Sequence, residues 1–268
     1  MRTTRPAAAA LVCLALARGA AAQATFDHTS FSALLAAHVA NGIVDYDAFQ
    51  AAPQFRTYLA SLAAFDPATL GRDEQLAFWI NAYNAYTIQL IISHGERASI
   101  RNINKSVGFI KGYGPWNEKL ARVGGVDYGL DYIEQKIIRP TYREPRVHFA
   151  LVCAAMGCPP LRSEAYTGAQ LEAQLEDQGR IFLLQSPEKN RVDTAASAVY
   201  VSQIFKFRDY QKDFGGSPAA VGKFIAQWYP PGAERTLLES GTWRTFEYTA
   251  YDWTLNSTEQ AQRLSQVR

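Results

Sequence analysis

The sequence predicts an α+β fold: a mostly helical single domain with a small, mainly antiparallel sheet around a buried central helix. Three observations carry this. Residues 72–95, "RDEQLAFWINAYNAYTIQLIISHG", are long enough for six helical turns and apolar on nearly every side, the pattern of a central helix. Several further segments repeat apolar residues at helical spacing beside capping residues. Between them lie only short alternating stretches, enough for a small sheet.

Each element follows in order. Thr29 or Ser30 is placed to cap a helix over "FSALLAAHVA", in which Phe31, Leu34, Leu35 and Val39 share a face. "NGIVDYDAF" reads as a turn and a short extended piece, and "QFRTYLASLAAF" as a second amphipathic helix. The central helix is expected to be capped by Asp73 and stopped by Gly95. It carries Asn81 and Asn84 three residues apart, hence on one face. A buried amide without partners costs a few kcal/mol, so both require hydrogen bonds.

"KLARVGGVDYGL" predicts a hairpin turning at Gly124-Gly125. "LDYIEQKIIR" predicts a short helix ending at Pro140, and Asp131 is placed to cap it. In residues 146–153, "RVHFALVC", Val147, Phe149 and Leu151 alternate with Arg146, His148, Ala150 and Val152, which predicts a strand, with "AAMGCPPL" as the loop at its end. Thr167 and Gln170 suit a capping box for the helix "GAQLEAQLEDQGRIFLL". "NRVD" and "AVYVS" read as short strands, Ser217-Pro218 opens a helix through Trp228, and "TFEYTAYDWTLN" is the last strand-like segment. Residues 257–268 read as a frayed polar tail.

The N-terminus bears on compartment. Arg2 and Arg5 precede an apolar run from Ala7 to Ala17, and the small residues Ala20-Ala21-Ala22 follow. The run is too short to span a bilayer and fits a cleaved leader over residues 1–22. Residues 23–256 are then the domain, and the protein is expected to be exported, periplasmic or secreted. Cys13 leaves with the leader. The chain has 27 Lys+Arg and 25 Asp+Glu. The leader takes three arginines and no acid, so the remainder is close to neutral. That excludes nucleic acid as an expected partner, and no later segment is apolar for long enough to form an integral membrane helix. A small molecule, a peptide or a cell-envelope component remains as ligand class.

Two cysteines remain, Cys153 and Cys158, with His148 just before them. Three readings stay open. An oxidising compartment favours a Cys153–Cys158 disulfide, which would shape the loop more than it stabilises the domain. A free Cys158 thiol folded back on His148 would be a nucleophile with its base, oriented by Asn81 or Asn84 as in Cys-His-Asn enzymes. His148 and Cys153 themselves would point to opposite faces of a strand. Cys153, Cys158, His148 and Glu134 are also zinc-ligand types, but their spacing fits no common structural zinc site, and no metal or cofactor is expected. No Walker loop, dinucleotide-binding glycine pattern, His-Glu-x-x-His or nucleophile elbow occurs. Glu134 is either a surface residue or an ion-pair partner for Arg146. The 14 tyrosines and 5 tryptophans are too dispersed to mark a sugar platform.

"EQLAFWINAYNAYTI", "YGLDYIEQKIIR", "RVHFALVCAAMGCPPLRSEAYT", "LEAQLE", "SQIFKF", "DF" and "YDWTLN", preceded by "GIVDYDAF", occur in one order over residues 26–256. In this the chain resembles the domain-of-unknown-function 547 family. The resemblance implies no settled activity. It implies recurring polar positions at Asn81, Asn84, Glu134, Arg146, His148 and Cys158, with Pro159. The family reads Ile-Glu-His where this chain has Ile133-Glu134-Gln135, which argues against a two-histidine mechanism, since Gln exchanges no proton near neutral pH. A central helix followed by a later histidine is also the order of papain- and transglutaminase-like folds, but this helix offers Trp79 and Asn81 and no cysteine. The expected site is therefore a polar cluster around His148. It would serve a hydrolase or acyl-transfer enzyme with His148 as base; the alternative is a binding or scaffolding domain whose cluster is structural.

Overall fold

The computed structural model describes residues 24–105, 114–207 and 209–266. The leader expected over residues 1–22, with Cys13, lies outside them. The fold is mostly helical α+β, as expected.

The chain opens with α1 (Thr29–His38). Thr29 and Ser30 sit inside its first turn rather than capping it, and the Asp27 carboxylate instead accepts from the Thr29 N–H. A minimal hairpin of β1 (Val39–Ala40) and β2 (Ile43–Val44) follows. Asp45 then caps α2 (Tyr46–Ala51), so the extended piece is shorter than its sequence suggests. Next come α3 (Pro53–Ala64) and the long α4 (Arg72–His94), which ends at Gly95. Asp73 lies in the first turn of α4, where its charge suits the helix dipole, rather than at the cap. Every residue of α4 from Leu76 to Ile88 is buried. It packs against α2, α3 and the hairpin of β3 (Ala121–Val123) and β4 (Val126–Tyr128). Gly124 and Gly125, both at positive φ, make the turn of that hairpin.

The helix expected to end at Pro140 continues past it. α5 (Leu130–Tyr132) widens into a π-helical stretch, Ile133–Ile138, and closes as α6 (Arg139–Tyr142). Proline has no N–H to give and clashes with the carbonyl four residues back; widening the turn before Pro140 relieves both. The same widening buries Glu134.

The strand expected over residues 146–153 is not formed. Val147–Ala150 is a single helical turn, α7, entered through the hydrogen bond from the Arg146 N–H to Glu144 Oε1. Residues 147–152 are all buried. A short segment buried all round has no exposed face to make alternation meaningful, and periodicity cannot separate helix from strand there.

α8 (Leu171–Leu184) begins after a 3₁₀ turn, Gly168–Gln170, and the expected Thr167–Gln170 capping box is absent: the Thr167 N–H donates to Gln174 Oε1 instead. β5 (Arg191–Asp193) and β6 (Ala198–Val201) pair antiparallel, and β7 (Thr245–Tyr248) joins β6 in parallel. α9 (Pro218–Ala226), capped by Ser217, and α10 (Ala233–Ser240) lie between them in sequence. Residues 258–266, expected to fray, form α11 (Thr258–Gln266), tied down by Gln260 Nε2 donating to the Arg97 carbonyl.

Two apolar clusters result. The first surrounds α4; the second lies among α8, β6, α9 and α10. Each large side chain buried in them contributes roughly 1.5–3 kcal/mol. α7 spans the junction, with Val147 and Ala150 in the first cluster and Phe149 in the second. His148, between them in sequence, is thereby fixed where the two clusters meet.

Candidate active site

A cleft of about 220 Å³ opens beside that junction. Its polar side chains include Asp131, Glu134 and His148; its walls include Tyr83, Trp116, Phe207, Tyr210, Tyr251 and Trp253, with Cys153 at one side. The aromatic walls arrive from both clusters and from segments far apart in sequence.

His148 is 2% exposed and held on every side. Its Nε2 is 2.7 Å from Asp213 Oδ2, and its Nδ1 is 3.9 Å from Glu134 Oε1. The Tyr210 ring lies against the imidazole at 4.1 Å between centroids, and Phe214 at 5.3 Å. Asp213 also accepts from Arg139 Nε at 2.6 Å, and Arg139 reaches Asp209 at 2.8 Å while lying over Tyr210. Burial pushes the Asp213 carboxyl upward, but the hydrogen bonds from His148 and Arg139, with their charges, outweigh it and hold its pKa at about 2. An ionised Asp213 can only accept, which assigns the ring proton of a neutral His148 to Nε2 and leaves Nδ1 as its basic nitrogen. That is the arrangement of a histidine base oriented by a carboxylate.

The residues singled out from sequence are only partly assembled here. His148 and Glu134 meet in the cleft. Asn81 and Asn84 do not line it. Asn81 Nδ2 donates to the Tyr166 carbonyl at 2.7 Å while the Tyr166 N–H donates to its Oδ1 at 2.9 Å. Asn84 does the same for Ala150 O, at 2.9 Å, and Val152 N, at 3.0 Å. Each amide thus imitates a neighbouring strand for a buried length of chain that has none. Arg146 is not paired with Glu134. It forks onto Glu144 and Glu172, both at hydrogen-bond distance, and those bonds raise its pKa. Glu134, buried within the π-helical turn, lies beside His148 instead, its Oε1 3.9 Å from Nδ1. Gln135 accepts from Arg139 Nη1, beside the cleft rather than in it.

Cys153 and Cys158 are joined, with an S–S distance of 2.02 Å. Cys153 and His148 line the same cleft, contrary to the opposite faces a strand would give them, because the helical turn of α7 precedes Cys153. Cys158 is 2% exposed. Among the described residues no group of three or more His, Cys, Asp or Glu side chains is placed to hold a metal ion, and no helix is long and apolar enough to cross a membrane.

Residues 67–183 match the family described as "Protein of unknown function, DUF547". Over that stretch the chain resembles the DUF547 family. No curated protein matches the chain, and no solved structure does. The DUF547 stretch includes Asn81, Asn84, Glu134, Arg146, His148 and both bonded cysteines. Asp213, Tyr210, Tyr251 and Trp253 lie beyond it, so the cleft is completed by chain outside the matched residues. Those four were not read as site residues from sequence. The signal for three of them was present: Asp213 opens the "DF" and Tyr251 and Trp253 fall in the "YDWTLN" that carried the resemblance.

Proposed function

We propose that the cleft is the active site of a hydrolase or acyl-transfer enzyme in which His148 is the general base and Asp213 orients it. The observation that carries this reading is the 2.7 Å contact between His148 Nε2 and Asp213 Oδ2, which directs Nδ1 toward Glu134 and the cleft. Among the described residues no serine or threonine side chain lines the cleft, and the cysteine there is bonded. The attacking group in this reading is therefore a water or a substrate hydroxyl, polarised between Nδ1 and Glu134, whose separation of 3.9 Å one water can span. The aromatic walls suit a substrate with an apolar or aromatic body, either a small molecule or a peptide or cell-envelope fragment. The leader reading makes the enzyme an exported one; the mature N-terminus of cell-exported protein, expected at Gln23, tests that part.

The experiment is a screen of purified protein against chromogenic esters, amides and thioesters with aromatic acyl groups, run beside His148→Asn and Asp213→Asn. Turnover abolished by the first and strongly reduced by the second, with melting temperature retained, supports the reading. Turnover indifferent to both sinks it.

A second reading has its own support. The asparagines and Arg146 are engaged with backbone and with glutamates away from the cleft, so much of the polar cluster anticipated from sequence holds the fold together. An aromatic cleft then serves as a binding site without turnover. Saturable binding of an aromatic compound, lost on Trp253→Ala, with no chemistry on any substrate class, would favour it.

A further inference from the structure

The Cys153–Cys158 pair is placed asymmetrically, and nothing in the acyl chemistry uses it. Cys153 is half-buried and lines the cleft, whereas Cys158 is in the first apolar cluster and 2% exposed. The hydrogen bonds around the two sulfurs are unequal as well. Cys158 Sγ accepts from the Cys153 backbone N–H at 3.0 Å and from the Tyr251 hydroxyl at 3.2 Å. Among the described residues Cys153 Sγ has only the shared Tyr251 hydroxyl, at 3.0 Å. A disulfide sulfur has no proton, so Tyr251 is the donor to both, and burial holds its hydroxyl pKa far above neutral, keeping that proton in place. The Lys189 ammonium, donating to the Cys158 carbonyl at 2.8 Å, adds positive charge beside the same residue.

This is the arrangement a thiol–disulfide exchange centre requires. Exchange is an attack by a thiolate on one sulfur while the other departs as a thiolate, and it is faster when the departing sulfur is the better-stabilised one. A buried thiolate is costly unless it is hydrogen-bonded or near positive charge; at Cys158 two donors are already in position. The attacked sulfur must face an open space, and Cys153 does. Beside it Tyr251, Phe207 and Trp253 form an aromatic group with centroids 4.7 Å apart for Phe207–Tyr251 and for Tyr251–Trp253.

We infer that Cys153–Cys158 is an exchange disulfide that accepts the thiol of a cysteine carried on an apolar or aromatic peptide. The thiol gives its proton to solvent and its sulfur bonds Cys153 Sγ. The Cys153–Cys158 bond breaks, and its electron pair passes to Cys158 Sγ, held by the Cys153 N–H and Tyr251. A second peptide thiol then attacks the mixed disulfide. The two thiols leave as one disulfide and the protein is left as a dithiol, so two electrons pass from peptide to protein.

The test uses the full oxidised chain under native conditions with a Phe-Cys peptide amide or with glutathione, quenched in acid, alkylated and mapped by mass spectrometry. The expected result is a mixed disulfide on Cys153 with the alkyl group on Cys158, faster with the Phe-Cys peptide than with glutathione. Presented instead with the disulfide-linked dimer of the same peptide, Cys158→Ser should capture one peptide on the Cys153 thiol and release the other as a thiol, and Cys153→Ser should leave the Cys158 thiol unmodified until the protein unfolds. Tyr251→Phe, checked for an unchanged melting temperature, should slow opening on the order of tenfold by removing one hydrogen bond to the departing thiolate. A pair that opens only under denaturing conditions, or that is attacked equally at both sulfurs, overturns the inference. The sulfur selectivity reads out even where Tyr251→Phe does not fold, and it is independent of any ester or amide turnover by His148.

Discussion

Asp213 grips His148 across 65 residues of sequence, Oδ2 to Nε2 at 2.7 Å, and Arg139 grips Asp213 from the other side at 2.6 Å. The carboxylate therefore fixes both the tautomer and the direction of the ring. Asp213→Asn keeps the size but presents either an amide N–H or a neutral carbonyl to Nε2. In the hydrolytic reading this lowers kcat by about 10²-fold or more, as loss of an orienting carboxylate does in other histidine-base sites. KM should change little, because Asp213 does not line the cleft. A steady-state assay on the best substrate from the screen, with thermal melting alongside, checks it; an unchanged kcat removes Asp213 from the mechanism.

Asn84 joins two lengths of chain through both ends of its amide, and neither partner has another strand to turn to. Asn84→Ala leaves the Ala150 carbonyl and the Val152 N–H buried without that partner. Orphaned buried groups cost about 1–3 kcal/mol each, so a destabilisation of about 2–4 kcal/mol is expected. The urea midpoint should fall without a change in m. A loss below about 0.5 kcal/mol would mean that the two backbone groups find water or each other.

Much of the fold was legible because its signals are local. The central helix announced itself by an apolar run of the right length, the β3–β4 hairpin by its paired glycines, and α9 by Ser217-Pro218. The need for Asn81 and Asn84 to be hydrogen-bonded was also legible, since burial follows from the helix around them. Their partners were not, because Tyr166 and Ala150 are brought in by tertiary packing. Alternation has no meaning in a segment buried on both sides, so the pattern of α7 mimics a strand and implies opposite faces for His148 and Cys153, where the helical turn brings both to one cleft. The cleft itself was illegible for a related reason. His148 and Glu134 could be picked out as polar residues on apolar elements, but Asp213 and the aromatic walls come from segments whose convergence no local pattern encodes.

His28 offers a pH test away from the cleft. It is 4% exposed, its Nδ1 is 2.7 Å from the Tyr58 hydroxyl, and burial pulls its pKa down to about 4 against the opposing charge of Asp27. In the unfolded chain the ring takes up a proton near pH 6.5, whereas in the folded protein it does so only near 4. Between those values the unfolded state binds more protons, so stability is full above about pH 6.5 and falls as the pH drops toward 4. The shift corresponds to on the order of 3 kcal/mol. His28→Phe should flatten the stability profile across that window while lowering the plateau through loss of the Tyr58 contact. Urea midpoints at pH 7.5, 5.5 and 4.5 check it, and a mutant profile parallel to the wild type would refute the assignment.

Gly42 and Gly125 separate two costs that a glycine substitution usually mixes. Their φ angles are nearly equal, +80° and +79°, so an alanine at either carries the same penalty for a left-handed conformation, about 1 kcal/mol. Their surroundings differ. At Gly125 an added Cβ meets nothing within 4 Å, whereas at Gly42 it would stand 2.5 Å from Pro160 Cβ and 2.7 Å from Pro160 Cα. Pro160 follows the bonded Cys158, and the Gly42 carbonyl accepts from Asn256 Nδ2 at 2.9 Å, so the β1–β2 turn cannot swing away without breaking a buried bond. Overpacking of this kind costs a further 1–3 kcal/mol or so. Gly125→Ala should therefore lower stability by about 1 kcal/mol and Gly42→Ala by about 2–4 kcal/mol. If the second also displaces the disulfide loop, exchange at Cys153 will change in Gly42→Ala but not in Gly125→Ala. Equal losses of stability in the two variants would show that the turn relaxes freely from Pro160.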